Sequence, residues 1–222
     1  MNSNTILITG GGTGIGRGLA EAFHQLGNRV IITGRTEATL KEVCDANPGM
    51  RHFLLNCADP AAIQAGATRI LADFPKLNVV INNAGVQIGH EFGSDAEPDY
   101  AMIDAEVSTN LLGVIKTGLA FLPHLKKQEG ATLINVTSGL AYVPLFRTPV
   151  YCATKAAVHS FTMSLRMQLA ESGVHIVELV PPRVGTNLGG GRNLPFSMPV
   201  PVFVEEAMKG LRSEEHTTEL QS

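Results

Sequence analysis

Tyr151 and Lys155 stand four residues apart in Tyr151-Cys-Ala-Thr-Lys155, at the start of a stretch with helical periodicity. On a helix that spacing puts both side chains on one face. A phenol with an ordinary pKa near ~10 is a poor acid–base group at neutral pH. A neighbouring ammonium stabilises the phenolate and moves its titration toward working pH. Ser138 closes an apolar run in Asn135-Val-Thr-Ser138-Gly139, where its hydroxyl can polarise a substrate carbonyl oxygen. Asn82-Asn83-Ala84-Gly85 ends a second such run, and Asn110 lies inside the long helical stretch that follows. An interior helical Asn is unfavourable unless its side chain has a partner. Singly, each residue has a plain reading, as a surface helix pair or a cap; jointly they describe a site for proton exchange with a carbonyl or alcohol oxygen. A serine-hydrolase alternative lacks a G-x-S-x-G elbow around Ser138 and lacks an acid-then-histidine pair after it. His159 and His175 read as helix-surface and strand-start residues, and no His/Cys/acid cluster has metal spacing.

Of the 23 glycines, five fall between Gly10 and Gly16, directly after an apolar run and directly before a helical pattern. Glycine there lets the backbone turn tightly and approach a pyrophosphate, whose charge is met by unpaired N–H groups at a helix start. The G-x-G-x-x-G pattern fails in every register, and the triphosphate loop fails because Arg17-Gly18 replaces Lys-Ser/Thr. What fits is T-G-x-x-x-G-x-G, on Gly10, Gly14 and Gly16 with Thr13 and Ile15 between them. The second apolar run ends Ile32-Thr33-Gly34-Arg35, with no acid before Glu37. NAD sites usually place Asp or Glu about 20 residues beyond the glycines. An acid would repel a 2′-phosphate, whereas a guanidinium pairs with it in a bidentate way. Arg35 therefore favours NADP over NAD; the plainer alternative is a solvated arginine at a strand end.

These residues need elements to position them. Short β-branched runs at Thr5–Thr9, Arg29–Thr33, His52–Leu55, Leu77–Ile81, Thr132–Thr137 and Val174–Val180 alternate with helical patterns. The helical stretches are Ile15–Leu26, Glu37–Ala46, Pro60–Phe74, Pro98–Leu122 and Val150–Ser172. Strands this apolar without alternation are expected to be buried on both faces, as in a parallel sheet flanked by helices. The repeated β-α order implies a single-domain, doubly wound α/β sheet whose strand carboxyl ends share one ligand-binding edge. The segment Gly185–Pro201, rich in Gly and Pro, falls on that edge and reads as a candidate lid.

Composition narrows the classes. The 222 residues are 44% apolar and 17% charged, against roughly 25% charged in an average domain, which excludes a disordered solvated chain. Net charge is −3 without a basic block, arguing against nucleic acid or an anionic membrane as the main partner. No apolar run approaches the roughly 18 residues of a membrane span. No basic leader precedes the first strand, and the three cysteines cannot all pair, so the expected location is the reducing cytoplasm.

In order and spacing, these motifs resemble the short-chain dehydrogenase/reductase family in its compact single-domain branch, from Thr5 to about Leu211. The matching set is the T-G-x-x-x-G-I-G turn, Asn82–Gly85, Asn110, Ser138, Tyr151-x-x-x-Lys155 and Pro181-x-x-x-x-Thr186. Thr-Gly-Arg at 33–35, Pro-His-Leu-Lys-Lys at 123–127 and Pro-Val-Tyr-Cys-Ala-Thr-Lys at 149–155 resemble a bacterial branch of oxidoreductases named after a D-alanine-transfer operon protein. The resemblance implies a Rossmann fold that carries a hydride between NADP(H) and a carbonyl or secondary alcohol. It implies that Tyr151 exchanges the proton, Lys155 holds the nicotinamide ribose, Ser138 orients the carbonyl, and Asn110 holds a relay water. It further implies that Asn56, Asn83, Ala84, Gly85, Val184 and Thr186 join the cofactor-binding set, and that the complete protein is a homo-oligomer. A non-catalytic NADP(H)-sensing protein on the same fold is the alternative. The substrate pocket is expected from Val86–Phe92, Leu140–Phe146 and Gly185–Val200. Its Leu140, Val143, Leu145, Phe146, Leu194 and Phe196 favour an apolar substrate.

Four departures stand out. Asn56 replaces the Asp usual after the third strand, though its carbonyl oxygen can still accept from the adenine amine. Pro181-Pro182 replaces Pro-Gly and removes a donor near the nicotinamide. Thr13 replaces a second basic residue, leaving Arg35 alone on the phosphate. Arg212–Ser222 resembles a translated sequencing adapter, so it is read as a non-native tail. The native part of the chain is then read as 1–211, expected to lack the last strand usual in the family, so that the sixth strand is an exposed edge here.

Overall fold

A computed structural model describes residues 3–93, 97, 99–190 and 196–211. Six parallel strands form one sheet in the order β3-β2-β1-β4-β5-β6. They are β1 (Thr5–Thr9), β2 (Arg29–Gly34), β3 (Arg51–Leu54), β4 (Leu77–Asn82), β5 (Thr132–Val136) and β6 (His175–Leu179). The helices are α1 (Gly14–Gln25), α2 (Glu37–Ala46), α3 (Pro60–Asp73), α4 (Tyr100–Val107), α5 (Gly113–Leu125), α6 (Pro149–Gln168) and α7 (Val200–Gly210).

Alternate residues of each central strand point to opposite faces. Ile6, Ile8, Val30, Ile32, Val79 and Ile81 pack with Leu19 and Phe23 of α1, Leu40 of α2 and Phe203 of α7. Leu7, Ile31, Val80 and Leu133 pack on the other face with Ile70 of α3, Phe121 of α5 and Leu165 of α6. Both faces of β1 and β5 are buried throughout, as the unbroken apolar runs imply. At the sheet's ends the expectation of two-sided burial fails, because β3 and β6 each have a neighbour on one side only and keep half-exposed residues.

The stretch read as one helix over Pro98–Leu122 is interrupted. Pro98 lies outside the described residues, and α4 and α5 are joined by a π-helical turn at Ser108–Leu112, where the Gly113 N–H reaches Ser108 O. Gly113 is held where a Cβ would lie 2.6 Å from Cys57 O, so the helix crosses the backbone after β3 closer than any side chain permits. The extra residue of the π turn lets this contact and the Asn110 position coexist, and such turns concentrate at functional sites.

The strand order reverses between β1 and β4, leaving a crevice at their carboxyl ends. Among the described residues, no helix is long and apolar enough to cross a membrane, and no group of three or more His, Cys, Asp or Glu could hold a metal. Cys44, Cys57 and Cys152 are free thiols.

Candidate active site

The crevice opens into one cleft of about 2070 Å³ that takes a residue from the end of every strand, from Arg35 and Asn56 at one side to Ser138, Tyr151 and Lys155 at the other. At its floor is the glycine turn. Gly10 and Gly14 have φ of +66° and +54°, a left-handed backbone that glycine adopts at little cost. A Cβ at Gly16 would sit 2.3 Å from Gly10 O and 2.4 Å from Asn83 Nδ2. Asn83 Nδ2 donates to the carbonyls of Thr9 (2.9 Å) and Gly10 (3.3 Å), while Thr9 Oγ1 accepts from the N–H groups of Asn83 and Ala84, each at 3.0 Å. The end of β4 is thus stitched to the turn after β1.

The turn delivers the N-terminus of α1, where Thr13 gives no side-chain cap and no acid occupies the first turn. Uncapped N–H groups there, with the helix dipole, suit an anion. Arg35 lines the cleft and is exposed, and among the described residues no acid forms an ion pair with it. Arg17, by contrast, is paired with Glu21 and Glu42, both at 2.8 Å. Asn56 also lines the cleft; its Oδ1 accepts from Ala58 N at 3.1 Å, with a lone pair to spare. These groups fit a dinucleotide in the cleft. Thr186 approaches Gly14, its Cγ2 lying 3.3 Å from where a Cβ there would be, and Val184 bridges to Met198. Both line the same cleft, as do Ile15 and Gly85 among the residues expected to bind cofactor.

At the other side, Ser138 leaves β5 in extended conformation and caps a short 3₁₀ turn, its Oγ accepting from Leu140 N at 3.1 Å. Tyr151 and Lys155 come from the first turns of α6, both buried. Burial pushes the Tyr151 phenol up to about 12, against the downward pull of its hydrogen bond with Ser138. Lys155 Nζ stands 5.6 Å from the Tyr151 ring centre and donates to Val136 O at 2.8 Å. Burial lowers its pKa to about 8. Desolvation therefore dominates the Tyr151 titration, and the lowering expected from Lys155 is not among its causes.

Asn110 is fully buried on the π turn, accepting from Val86 N at 2.8 Å and donating to Val86 O at 2.7 Å. Its side chain anchors the start of the wall after β4, and its Nδ2 also donates to Thr154 Oγ1 of α6 at 3.4 Å. Pro181 O accepts from Gly139 N at 2.9 Å, so the Pro-Pro departure still ties the end of β6 to that of β5. Phe92, Val143, Leu145, Phe146 and Phe196 line the open side of the cleft with Leu140; Leu194 lies outside the described residues.

Two buried carboxylates escaped the sequence reading. Glu178 of β6 accepts from Thr137 Oγ1 (2.6 Å), lies 2.8 Å from His159 Nδ1 and meets Tyr142 OH at 3.4 Å. This ties the residue before Ser138 to α6, so His159 has a partner where a bare surface residue was expected. Glu106 of α4 is fully buried beside His90. Neither glutamate sits in a motif, and Glu106, four residues before Asn110, has Asp104, Ser108 and Thr109 around it, so nothing in the local pattern sets it apart.

The sequence profile of the short chain dehydrogenases matches residues 4–194. The chain belongs to the short-chain dehydrogenase/reductase family, as an NAD(P)-dependent dehydrogenase/reductase by class. Among its relatives, the uncharacterized oxidoreductase DltE of Bacillus subtilis (strain 168) is 44% identical over 188 residues, 85% of this chain and 74% of DltE. The fold matches an alcohol dehydrogenase from Thermococcus sibiricus complexed with 5-hydroxy-NADP, with TM-score 0.87, 22% identity, and 96% and 92% of the two chains covered. It also matches 3-ketoacyl-(acyl-carrier-protein) reductase from Brucella melitensis complexed with NADH, with TM-score 0.85, 27% identity, and 98% and 93% covered.

Proposed function

We propose that the protein interconverts a carbonyl and a secondary alcohol with NADP(H), with Tyr151 as the acid–base residue. The observation that carries this reading is the meeting of Ser138, Tyr151 and Lys155 in one buried corner of the cleft whose floor is the glycine turn. When bound, the cofactor supplies or accepts the hydride. The chain's own residues do the rest. Tyr151 passes its hydroxyl proton to the substrate oxygen in reduction and takes it back in oxidation. Ser138 donates to the same oxygen and fixes its place. Lys155, with two ammonium donors beyond the one given to Val136 O, holds ribose hydroxyls and stabilises the phenolate. Asn110 acts by anchoring Val86.

The exposed Arg35, with no acid between it and the glycine turn on the cleft side, supports NADP. One related structure holds an NADP derivative and another holds NADH, so the family alone leaves the choice open. The apolar rim formed by Phe92, Val143 and Phe146 supports an apolar substrate. Residues 1–211 form the working domain, and the cytoplasm is the compartment this chemistry and the free thiols suit.

Tyr151→Phe is expected to lower NADPH-dependent carbonyl reduction by at least about a thousandfold, while NADPH affinity by calorimetry stays within about threefold. Full activity in that variant sinks the assignment. Binding without turnover of any carbonyl by the native protein supports instead an NADP(H)-sensing role. In the same calorimetry, Arg35→Ala should weaken NADPH binding by about 1.5–3 kcal/mol and leave NADH nearly unchanged. Equal losses for both cofactors would refute the phosphate contact.

A further inference from the structure

Asn110 and Glu106 lie four residues apart, one on the π turn and one on α4, and both reach the wall that follows β4. Asn110 takes Val86 at both its N–H and its carbonyl. Glu106 Oε1 accepts from Ile88 N at 2.9 Å, and its Oε2 lies 3.1 Å from His90 Nε2. His90 N in turn donates to Arg147 O at 3.1 Å, on the segment before α6, and the His90 ring stacks on Phe92 at 5.3 Å. Alternate N–H groups of one extended stretch are therefore each held, two of them by side chains of one helical segment. His90 joins α4, through its ring, to the segment before α6, through its backbone bond to Arg147.

We propose that Glu106 and His90 form a buried positioning pair, which fixes the substrate-side wall Val86–Phe92 to the segment carrying Asn110 and, through His90 N and Arg147 O, to the segment that leads into α6. The inference rests on the function proposed above, in which Tyr151 meets the substrate. Burial makes the pair specific. The two side chains are 0% and 6% exposed, and among the described residues no Lys or Arg forms an ion pair with Glu106. A buried carboxylate without a cation is costly. A carboxylate only accepts, so His90 Nε2 carries the hydrogen and meets the anion. From α6, Tyr151 is the titratable group that feels Glu106, whose charge opposes phenolate formation. From the segment before α6, Arg147 contributes its carbonyl to His90, with its guanidinium over the Phe146 ring. Glu91, next to His90, is exposed.

The experiment compares the native protein with His90→Gln, His90→Phe and Glu106→Gln. Three quantities are measured: amide hydrogen exchange at Ile88, phenolate absorbance of Tyr151 at alkaline pH with Tyr151→Phe as the blank, and NADPH affinity. H90Q keeps an N–H donor toward Glu106 and should leave Ile88 exchange within about threefold. H90F keeps the stack on Phe92 but strands the carboxylate, and should speed that exchange at least about tenfold. E106Q removes the charge, so the phenolate fraction of Tyr151 near pH 11 should rise; a purely structural role for Glu106 would leave it unmoved. Ile88 exchange unchanged in both H90F and E106Q, or a Tyr151 titration indifferent to E106Q, overturns the proposal. If H90F does not fold, the contrast between H90Q and E106Q decides. The exchange and absorbance readings need neither cofactor nor substrate. Failure of the native protein to bind NADPH would therefore sink the proposed function and be told apart from failure of the pair.

Discussion

Lys155 gives one donor to Val136 O and is otherwise enclosed, which is why its charged form is disfavoured and its pKa falls to about 8 from 10.5. Two opposite pH dependences follow. Between those values the unfolded chain holds the proton more tightly than the folded one, so this group makes the ligand-free protein more stable as pH rises through that window. A cofactor held by the ammonium favours the protonated form, so NADPH affinity should be level below pH 8 and fall as pH rises through it. Calorimetry across pH 6.5 to about 9.5 tests this, with Lys155→Met expected to flatten the curve; a falling curve in that variant would assign the effect elsewhere. Tyr151, Lys155, Ser138 and the glycines were legible because their spacing along one chain nearly fixes their geometry. Glu106, His90 and Glu178 were not. Each takes its meaning from a partner 16 to 41 residues away, brought close by packing that no local pattern encodes.

At the level of elements, the turn after β1 carries the tightest approach. Because a Cβ on Gly16 would press on Gly10 O and Asn83 Nδ2, Gly16→Ala must move either the turn or the end of β4. The expected cost is about 1–3 kcal/mol, or a Tm lower by roughly 2–10 °C, together with at least about a tenfold loss of NADPH affinity. Gly93→Ala, where a Cβ would have nothing within 4 Å, should change neither quantity in the same thermal-melt and titration assays; a matched loss there would show that the turn is not special. Strand and helix limits read from the sequence lie within a residue or two of those observed, except that the helix read to Leu122 runs on to Leu125 and two further departures concern helices. The helix read to Ser172 stops at Gln168, and the long helix through Asn110 contains a π turn. Amphipathic periodicity cannot reveal that turn, since its cause is the Cys57 carbonyl lying against Gly113 from another part of the chain.

For the molecule as a whole, the doubly wound parallel sheet was legible in the alternating β and α segments, and the structure adds the strand order with its single reversal. Which surfaces stay bare was not legible. Leu112 and Leu119, seven apart and so on one helical stripe, are exposed, as are Tyr100 and Met102 of α4. This is more apolar surface than a helix facing water usually shows, and we propose that two copies associate through α4 and α5. Light scattering at micromolar concentration should give a mass above that of one chain, reduced by the pair Leu112→Asp and Leu119→Asp. A monomeric native protein would refute this.

The link between Val184 and Met198 carries a consequence of a different kind. Arg183 O accepts from Met198 N and Met198 O accepts from Gly185 N, each at 2.9 Å, while Val200 and Val204 of α7 lie against Gly18 of α1. Both feet of the intervening segment are therefore fastened to the scaffold, one at the end of β6 and one on the helix that starts at the glycine turn. Lengthening a span between fixed feet adds well under about 1 kcal/mol per doubling. A change of length between Gly185 and Met198 would therefore leave the sheet and the glycine turn where they are, because the two feet hold each other and α7 holds α1.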